Sequence, residues 1–161
     1  MTNSLTHFIR KALHEDCPVE DLTTALLVDK TQKGTSRIVV KSSGIFYGEQ
    51  VLSVIGDSFL ATGTVTMEVS DGDLVEEGVT VATLSGPLHQ LLKVERVMLN
   101  LLQRLSGVAT TTRAFVDALD DSSIKILDTR KTTPLCRFLE REAVLAGGGA
   151  IIVTVCRIWC W

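Results

Sequence analysis

A short apolar run that leads straight into a cationic, hydroxyl-rich turn is the feature that most limits how this 161-residue chain can fold. Ile126 and Leu127 precede residues 128–134, which include Arg130 and Lys131. Such a run is typical of a short buried strand, and α/β proteins bind ligands at the carboxyl ends of their strands. A guanidinium beside an ammonium suits carboxylates and phosphates. Taken alone, the same residues also fit a solvated turn.

Apolar periodicity predicts a helix at the start of the chain. One helical face carries Leu5, Phe8, Ile9, Ala12 and Leu13. Either Asn3 or Ser4 is available to cap the first turn.

The next 70 residues have strand and turn patterns. We predict strands over residues 37–41, 44–48, 65–69 and 79–84, a turn at 71–73, and a helix over 49–55 that ends at Gly56. Residues 1 to about 86 are therefore expected to form an α+β unit with an antiparallel sheet.

A leucine-rich segment follows with helical spacing. Its apolar positions are Leu88, Leu91, Leu92, Leu99, Leu102 and Leu105. This pattern predicts a long amphipathic helix that ends near residues 106–107, with a further helical stretch over 109–119. A strand over 125–128 and a helix over 137–146 then make one β-α unit.

Composition excludes several classes of protein. Hydrophobic residues make up 45% of the chain and charged residues 22%, which is ordinary for a globular protein. A net charge of −3 offers no general nucleic-acid footprint, and no apolar stretch has membrane-spanning length. Cys17 and Cys136 lie in unrelated contexts. We therefore expect a reduced, cytoplasmic protein with neither nucleic-acid nor membrane partners.

Seven short sequence blocks, taken together and in their order along the chain, are more specific than any single motif. They are residues 15–16, 21–24, 95–100, 102–110, 128–134, 139–144 and 147–149. In type and order these blocks resemble the quinolinate phosphoribosyltransferase family, also called nicotinate-nucleotide pyrophosphorylase (carboxylating). The resemblance implies that the β-α unit opens an α/β barrel with fewer than eight strands, packed against the N-terminal domain. It also implies a homodimer.

The resemblance implies a reaction as well. Family members transfer a phosphoribosyl group from phosphoribosyl pyrophosphate to quinolinate, giving nicotinate mononucleotide, pyrophosphate and carbon dioxide in NAD biosynthesis. Both substrates are polyanions, which require concentrated positive charge. The resemblance assigns the quinolinate carboxylates to Arg130 and to Arg96 of the neighbouring subunit. It assigns a carboxylate or phosphate to Lys131, with help from Thr129.

None of these side chains is an acid-base catalyst at neutral pH, so positioning and electrostatics are their expected roles. Magnesium would accompany the pyrophosphate, with most of its ligands in the later part of the family's barrel. Arg96 also has a simpler interpretation, because it could form a helix-surface ion pair with the adjacent Glu95.

The resemblance stops after Ala150, where the family continues Asn-His-Arg. One permitted coding of residues 151–159 reads Asn-His-Arg-Tyr-Gly-Leu-Ser-Asp-Met when a single A is placed in front. Both tryptophans and two of the four cysteines also fall in the last six residues. Our hypothesis is that one nucleotide was lost near codon 150; sequencing the gene tests it.

On that hypothesis the chain comprises an N-terminal domain over 1–111, the start of a barrel over 112–150 and an out-of-frame tail over 151–161. We expect it to be inactive alone, because the family's later phosphate-binding loops follow residue 150. A smaller departure is Leu135-Cys136 where the family has Gly-Leu, since leucine lacks the freedom of glycine at positive φ.

Two alternatives stay open on sequence. One is a molybdenum-transport-associated paralogue of the same fold. The other is a non-catalytic biotinyl or lipoyl carrier module, which residues 71–78 resemble weakly. Carrier domains present a lysine on a tight hairpin, whereas no lysine occurs between Lys41 and Lys93.

Overall fold

The computed structural model describes residues 2–19, 21–119, 121 and 123–152. The helices are α1 Thr2–Asp16, α2 Leu22–Leu27, α3 Glu49–Phe59, α4 Leu88–Leu119 and α5 Arg137–Ala146. The strands are β1 Lys33–Val39, β2 Gly44–Ile45, β3 Thr64–Met67, β4 Leu74–Val75 and β5 Thr80–Pro87. Residues 153–161, which make up most of the tail in the frameshift hypothesis, lie outside the described part of the chain.

The antiparallel sheet predicted for the first half of the chain is confirmed. Its strand order is β1-β5-β3, and both neighbours of β5 run antiparallel to it. The β1–β5 register shifts between Ile38 and Val39. The central strand β5 buries Val81, Ala82 and Leu84. A separate two-stranded pair joins β2 to β4.

Helix α1 packs with the face that its sequence predicts. Leu5 and Ile9 have no exposed surface, Leu13 is also buried, and Phe8 and Ala12 pack against the same core. Each fully buried leucine or isoleucine contributes about 1.5–3 kcal/mol. The predicted cap at Asn3 or Ser4 is wrong, because the helix already includes Thr2.

Two predicted helix ends are also wrong, and glycine misled the prediction in each case. Helix α3 continues through Gly56 to Phe59, and α4 continues through Gly107 to Leu119. A glycine inside a helix costs only about 1 kcal/mol, less than the burial of neighbouring apolar residues contributes. Gly56 has a packing reason as well, since a Cβ there would lie 2.9 Å from Val65 of β3.

The remaining differences concern short elements. The strand predicted over 44–48 contains only Gly44–Ile45. Helix α2 was not predicted, and its six residues include no buried side chain. Its N-cap residue is Asp21, whose carboxylate accepts hydrogen bonds from the N–H groups of Thr23 and Thr24. Its stability therefore depends on capping and not on an apolar face, which periodicity does not detect.

The second half of the chain contains the predicted helix, but the strand predicted over 125–128 is reduced to a single bridge. Helix α5 has the expected bounds, Arg137–Ala146. The predicted strand forms a single parallel bridge between Leu127 and Ala150, with hydrogen bonds from Asp128 N–H to Ala150 O at 2.9 Å and from Ala150 N–H to Ile126 O at 2.8 Å. The architecture is thus an α+β N-terminal domain followed by the first β-α unit of an α/β barrel.

Close packing fixes this unit against the N-terminal domain. The rings of Phe8 in α1 and Phe138 in α5 meet edge to face, with centroids 6.1 Å apart. A Cβ at Gly147 would collide with the carbonyl oxygen of Ala109, so only glycine allows α5 to end so close to α4. The predicted domain boundary between 111 and 112 falls inside α4 and stays a prediction.

Apolar side chains near the end of α4 and in the segment before the cationic turn are uncovered. Phe115, Ile124 and Leu127 are each more than half exposed. Among the helices described, none combines the length and hydrophobicity of a membrane span.

Asp71 joins the β2–β4 region to the start of α3. Its Oδ1 accepts hydrogen bonds from the N–H groups of Gly48 at 2.6 Å and Glu49 at 3.0 Å. Glu49 Oε1 in turn accepts from the Asp71 N–H at 2.7 Å. A carboxylate at a helix N-terminus also interacts favourably with the helix dipole.

We expect Asp71→Ala to lower the free energy of unfolding by about 2 kcal/mol, because it leaves two N–H groups of the α3 terminus unpaired. Urea denaturation measures this change. The control is Asp57→Ala, within α3 itself, where the carboxylate accepts one hydrogen bond from the Ser53 hydroxyl at 3.4 Å. Equal losses in the two variants would contradict a capping role for Asp71.

Candidate functional site

The cationic loop of residues 129–133 follows the Leu127 bridge and precedes α5. Arg130 and Lys131 are both exposed. Within the described part of the chain, neither side chain has a hydrogen bond or an ion pair. Two adjacent unpaired cations at the carboxyl end of a strand form a surface that can receive an anion.

The start of the 129–133 loop is fixed at Asp128. This carboxylate is only 9% exposed, and its Oδ2 lies 2.8 Å from Nε of Arg141 in α5. Its Oδ1 accepts a hydrogen bond from the backbone N–H of Ile152. Within the loop, the N–H of Lys131 donates to Thr129 Oγ1 at 3.1 Å.

The end of the loop is fixed at Glu140, another buried carboxylate. Glu140 is 7% exposed and lies in α5. Its Oε1 accepts from the Thr133 hydroxyl at 2.7 Å and from Nη2 of Arg104 at 3.0 Å. Its Oε2 accepts from the Thr133 N–H at 3.2 Å. One carboxylate therefore joins the loop, α4 and α5.

Electrostatics favour the ionised form of Glu140. Burial raises the pKa of this carboxyl group, but the hydrogen bonds from Thr133 and Arg104 outweigh it and hold the pKa below its ordinary value. The carboxylate therefore stays charged at neutral pH, as its contacts require.

Arg137 adds a third attachment to the loop. From the first turn of α5, its Nε donates to Thr132 Oγ1 at 3.3 Å and its Nη2 to the Arg130 carbonyl oxygen at 3.1 Å. The backbone beside the cation at 130 is therefore held from the helix, while the Arg130 side chain stays available.

Leu135 has the left-handed backbone conformation that its sequence position suggested. Its φ is +66°, and its side chain is 79% exposed. A leucine in this region costs about 1–2 kcal/mol relative to a right-handed conformation. No buried contact offsets that cost, so the turn before α5 carries backbone strain.

Arg96 lies away from the loop. Its Nη1 forms an ion pair with Asp16 Oδ1 at 2.8 Å, not with Glu95, and its side chain is 71% exposed. The hydrogen bond and charge of Asp16 raise the pKa of Arg96. It lines a cleft of about 660 Å³ between α2 and α4. Arg104, which contacts the loop, is eight residues or about 12 Å further along α4.

Of the four residues predicted to bind substrate, the structure brings three together in one chain. Thr129, Arg130 and Lys131 share the loop, and no described hydrogen bond or ion pair joins Arg96 to them. Arg104, Glu140 and Arg137 were missed. One indication that Glu140 is buried was present in the sequence, because it lies on the α5 face that also buries Leu139 and Ala143.

A magnesium site does not fit the described residues. They contain no group of three His, Cys, Asp or Glu side chains that could hold a metal ion. The buried carboxylates of Asp128 and Glu140 are already engaged by arginines. We therefore assign no metal ligand among the described residues.

Comparison with known families covers most of the chain. The family described as quinolinate phosphoribosyl transferase, N-terminal domain, matches residues 21–106. The corresponding C-terminal domain family matches residues 108–153.

Individual relatives agree with that match. The protein named probable nicotinate-nucleotide pyrophosphorylase (carboxylating) of Bacillus subtilis (strain 168) is 47% identical over 146 residues, which cover 90% of this chain and 48% of the relative. The nicotinate-nucleotide pyrophosphorylase (carboxylating) of Mycobacterium leprae (strain TN) is 40% identical over 144 residues, 88% of this chain and 51% of the relative.

A solved structure is also similar to this chain. The crystal structure of NadC from Streptococcus pyogenes superposes with a TM-score of 0.89 at 36% identity, covering 96% of this chain and 56% of that one. The chain belongs to the quinolinate phosphoribosyltransferase family, which confirms the resemblance drawn from its sequence blocks. It spans about half the length of the curated relatives it matches.

We expect Glu140→Gln to lower the free energy of unfolding by about 2 kcal/mol at pH 7, because the charged hydrogen bonds to Arg104 and Thr133 are weakened. A carboxyl group whose pKa is lowered on folding stabilises the protein above its unfolded pKa of about 4.3, and this contribution is lost as pH falls through the folded pKa. The difference in the free energy of unfolding between Glu140→Gln and wild type should therefore disappear below about pH 4. Urea denaturation from pH 3 to 7 measures it, and a gap independent of pH would contradict the assignment.

Leu135→Gly should raise the free energy of unfolding by about 0.5–1 kcal/mol. Glycine removes the cost of positive φ, and the greater entropy of its unfolded state only partly offsets this gain. Thermal denaturation provides the measurement. Leu145→Gly within α5 is the matched control and should lose about 1 kcal/mol. A loss of stability in both variants would show that the turn is not strained.

Proposed function

We propose that this chain contributes the dicarboxylate-binding part of a site that transfers a phosphoribosyl group from phosphoribosyl pyrophosphate to quinolinate. The products are nicotinate mononucleotide, pyrophosphate and carbon dioxide. Membership of the family supports the reaction. The exposed, unpaired cations Arg130 and Lys131 on an anchored loop are the observation that carries the assignment to these residues.

Quinolinate suits such a loop for a chemical reason. Its two carboxylates are adjacent on a flat ring, so a guanidinium fork and a neighbouring ammonium can engage them together. The hydroxyl oxygen of Thr129 accepts a hydrogen bond from the Lys131 N–H, which supports a role for Thr129 in fixing the loop conformation. These residues act by binding and orienting charge and not by proton transfer.

We further propose that Arg96 serves the site of a second copy in a homodimer. The ion pair with Asp16 and the 12 Å offset along α4 from Arg104 separate it from the loop of its own chain. Its exposed guanidinium retains donors beyond the one that Asp16 engages, so it can reach a ligand on a neighbouring molecule.

Neither alternative is favoured. The relatives described above are named for nicotinate-nucleotide synthesis and not for molybdenum transport. Asp71, in the segment that resembles a carrier turn, accepts hydrogen bonds from the N-terminus of α3, so this segment has a structural role. The two described cysteines, Cys17 and Cys136, are free thiols, which supports a reducing, cytoplasmic location.

Calorimetric titration of the 161-residue chain with quinolinate tests the proposal. Arg130→Ala and Lys131→Ala should each weaken binding about tenfold or more, because each removes a charged hydrogen bond worth about 1.5–3 kcal/mol. Arg37→Ala on the exposed face of β1 is the charge-matched control and should leave binding unchanged. Binding that is equally strong in all three variants would refute the role of the loop.

A mixing experiment tests the shared site. Arg96→Ala and Arg130→Ala should each bind quinolinate poorly as separate preparations. After the two are unfolded together and refolded, half of the dimers should be mixed, and each mixed dimer has one intact site out of two. About one quarter of the wild-type binding capacity should therefore return. No recovery despite mixed dimers would contradict the assignment of Arg96.

A further inference from the structure

Two buried carboxylates lie at the two ends of the cationic loop. Asp128 precedes the loop and Glu140 contacts its last residue, Thr133. Each carboxylate meets an arginine of a helix, Arg141 at 2.8 Å and Arg104 at 3.0 Å respectively. Buried carboxylates are rare unless paired, and a purely structural strut between two helices would not need contacts with the loop.

We propose that Asp128 and Glu140 are positioning residues that hold residues 129–133 in the conformation that receives a dianion. This inference rests on the proposed function, which assigns that dianion to Arg130 and Lys131. Glu140 acts through its contacts with Thr133, and Asp128 fixes the backbone at the start of the loop through its own contacts with Arg141 and Ile152, so neither carboxylate needs to contact the ligand.

The contacts of Glu140 favour positioning over simple helix packing. Four hydrogen bonds to Glu140 are described, and they come from the loop and from Arg104: two from the hydroxyl and N–H of Thr133, and two from Nη2 and Nε of Arg104. Nη2 of Arg104 also approaches the Thr133 hydroxyl at 3.3 Å. The ion pair between α4 and α5 therefore shares its contacts with Thr133 and holds the end of the loop.

Charge explains why the loop needs anchors. Arg130 and Lys131 repel each other, and an unanchored loop would separate them or turn them toward solvent. An anchored loop is ordered when the chain folds, so less conformational freedom is lost when the ligand binds.

Two variants test the inference by different routes. Glu140→Gln removes the charge that anchors the loop, with Glu142→Gln two residues further on in α5 as the charge-matched control. Thr133→Val removes only the hydroxyl that Glu140 holds and so keeps the ion pair with Arg104, while Thr133→Ser keeps a hydroxyl and should restore wild-type behaviour.

Two readouts separate positioning from general stability. Amide hydrogen exchange, followed by NMR, should become at least tenfold faster at Lys131 and Thr133 in Glu140→Gln and Thr133→Val, relative to the exchange of α4 amides in the same variant. Quinolinate affinity, measured by calorimetry, should fall at least tenfold in both variants. Glu142→Gln and Thr133→Ser should match wild type in both readouts.

The outcomes distinguish the two proposals. Exchange that rises equally in the loop and in α4, or affinity that falls no further than in Glu142→Gln, would overturn the positioning role. A wild-type chain that shows the protected loop but binds no quinolinate would overturn the proposed function. Faster loop exchange together with weaker binding, both restored in Thr133→Ser, would support both.

Discussion

The packing of one long helix, α4, links the N-terminal sheet and helices to α5 in the described part of the chain. Helix α4 buries Leu91, Val94, Met98, Leu102 and Leu105 against the N-terminal sheet and helices, and its later turns support α5. Because α4 is continuous through Gly107, it sets the position of the β-α unit relative to the sheet. Arg96 and Arg104 both lie on α4, so their separation along its axis follows from helical geometry alone.

The site on this scaffold combines exposed charge with buried charge. Arg130 and Lys131 stay unpaired and accessible, while Asp128 and Glu140 are desolvated and engaged by arginines. An ion pair that buries a carboxylate adds little stability on average, because desolvation of the charge offsets the attraction. We infer that the value of these ion pairs here lies in specificity, because they would restrict the loop to one conformation. The positive φ of Leu135 shows that the turn after the loop is also held against its local preference.

Sequence reasoning succeeded where the physical signal was periodic. The buried face of α1, the antiparallel sheet and the bounds of α5 follow from apolar spacing, which directly reports burial. It failed where tertiary contacts outweigh local preference, as at Gly56 and Gly107, and where a cap stabilises a short helix, as at Asp21. The loop cations were found because they follow a strand, but the partners of Glu140 lie 7 and 36 residues away and could not be read from spacing.

A crystal structure of the chain with bound quinolinate tests the central claim most directly: that a loop held in place by buried carboxylates presents two cations to a dicarboxylate. The account predicts the ring carboxylates within hydrogen-bond distance of the Arg130 guanidinium and the Lys131 ammonium, with residues 129–133 unmoved. Quinolinate bound elsewhere, with the Arg130 side chain turned into bulk solvent, would contradict it.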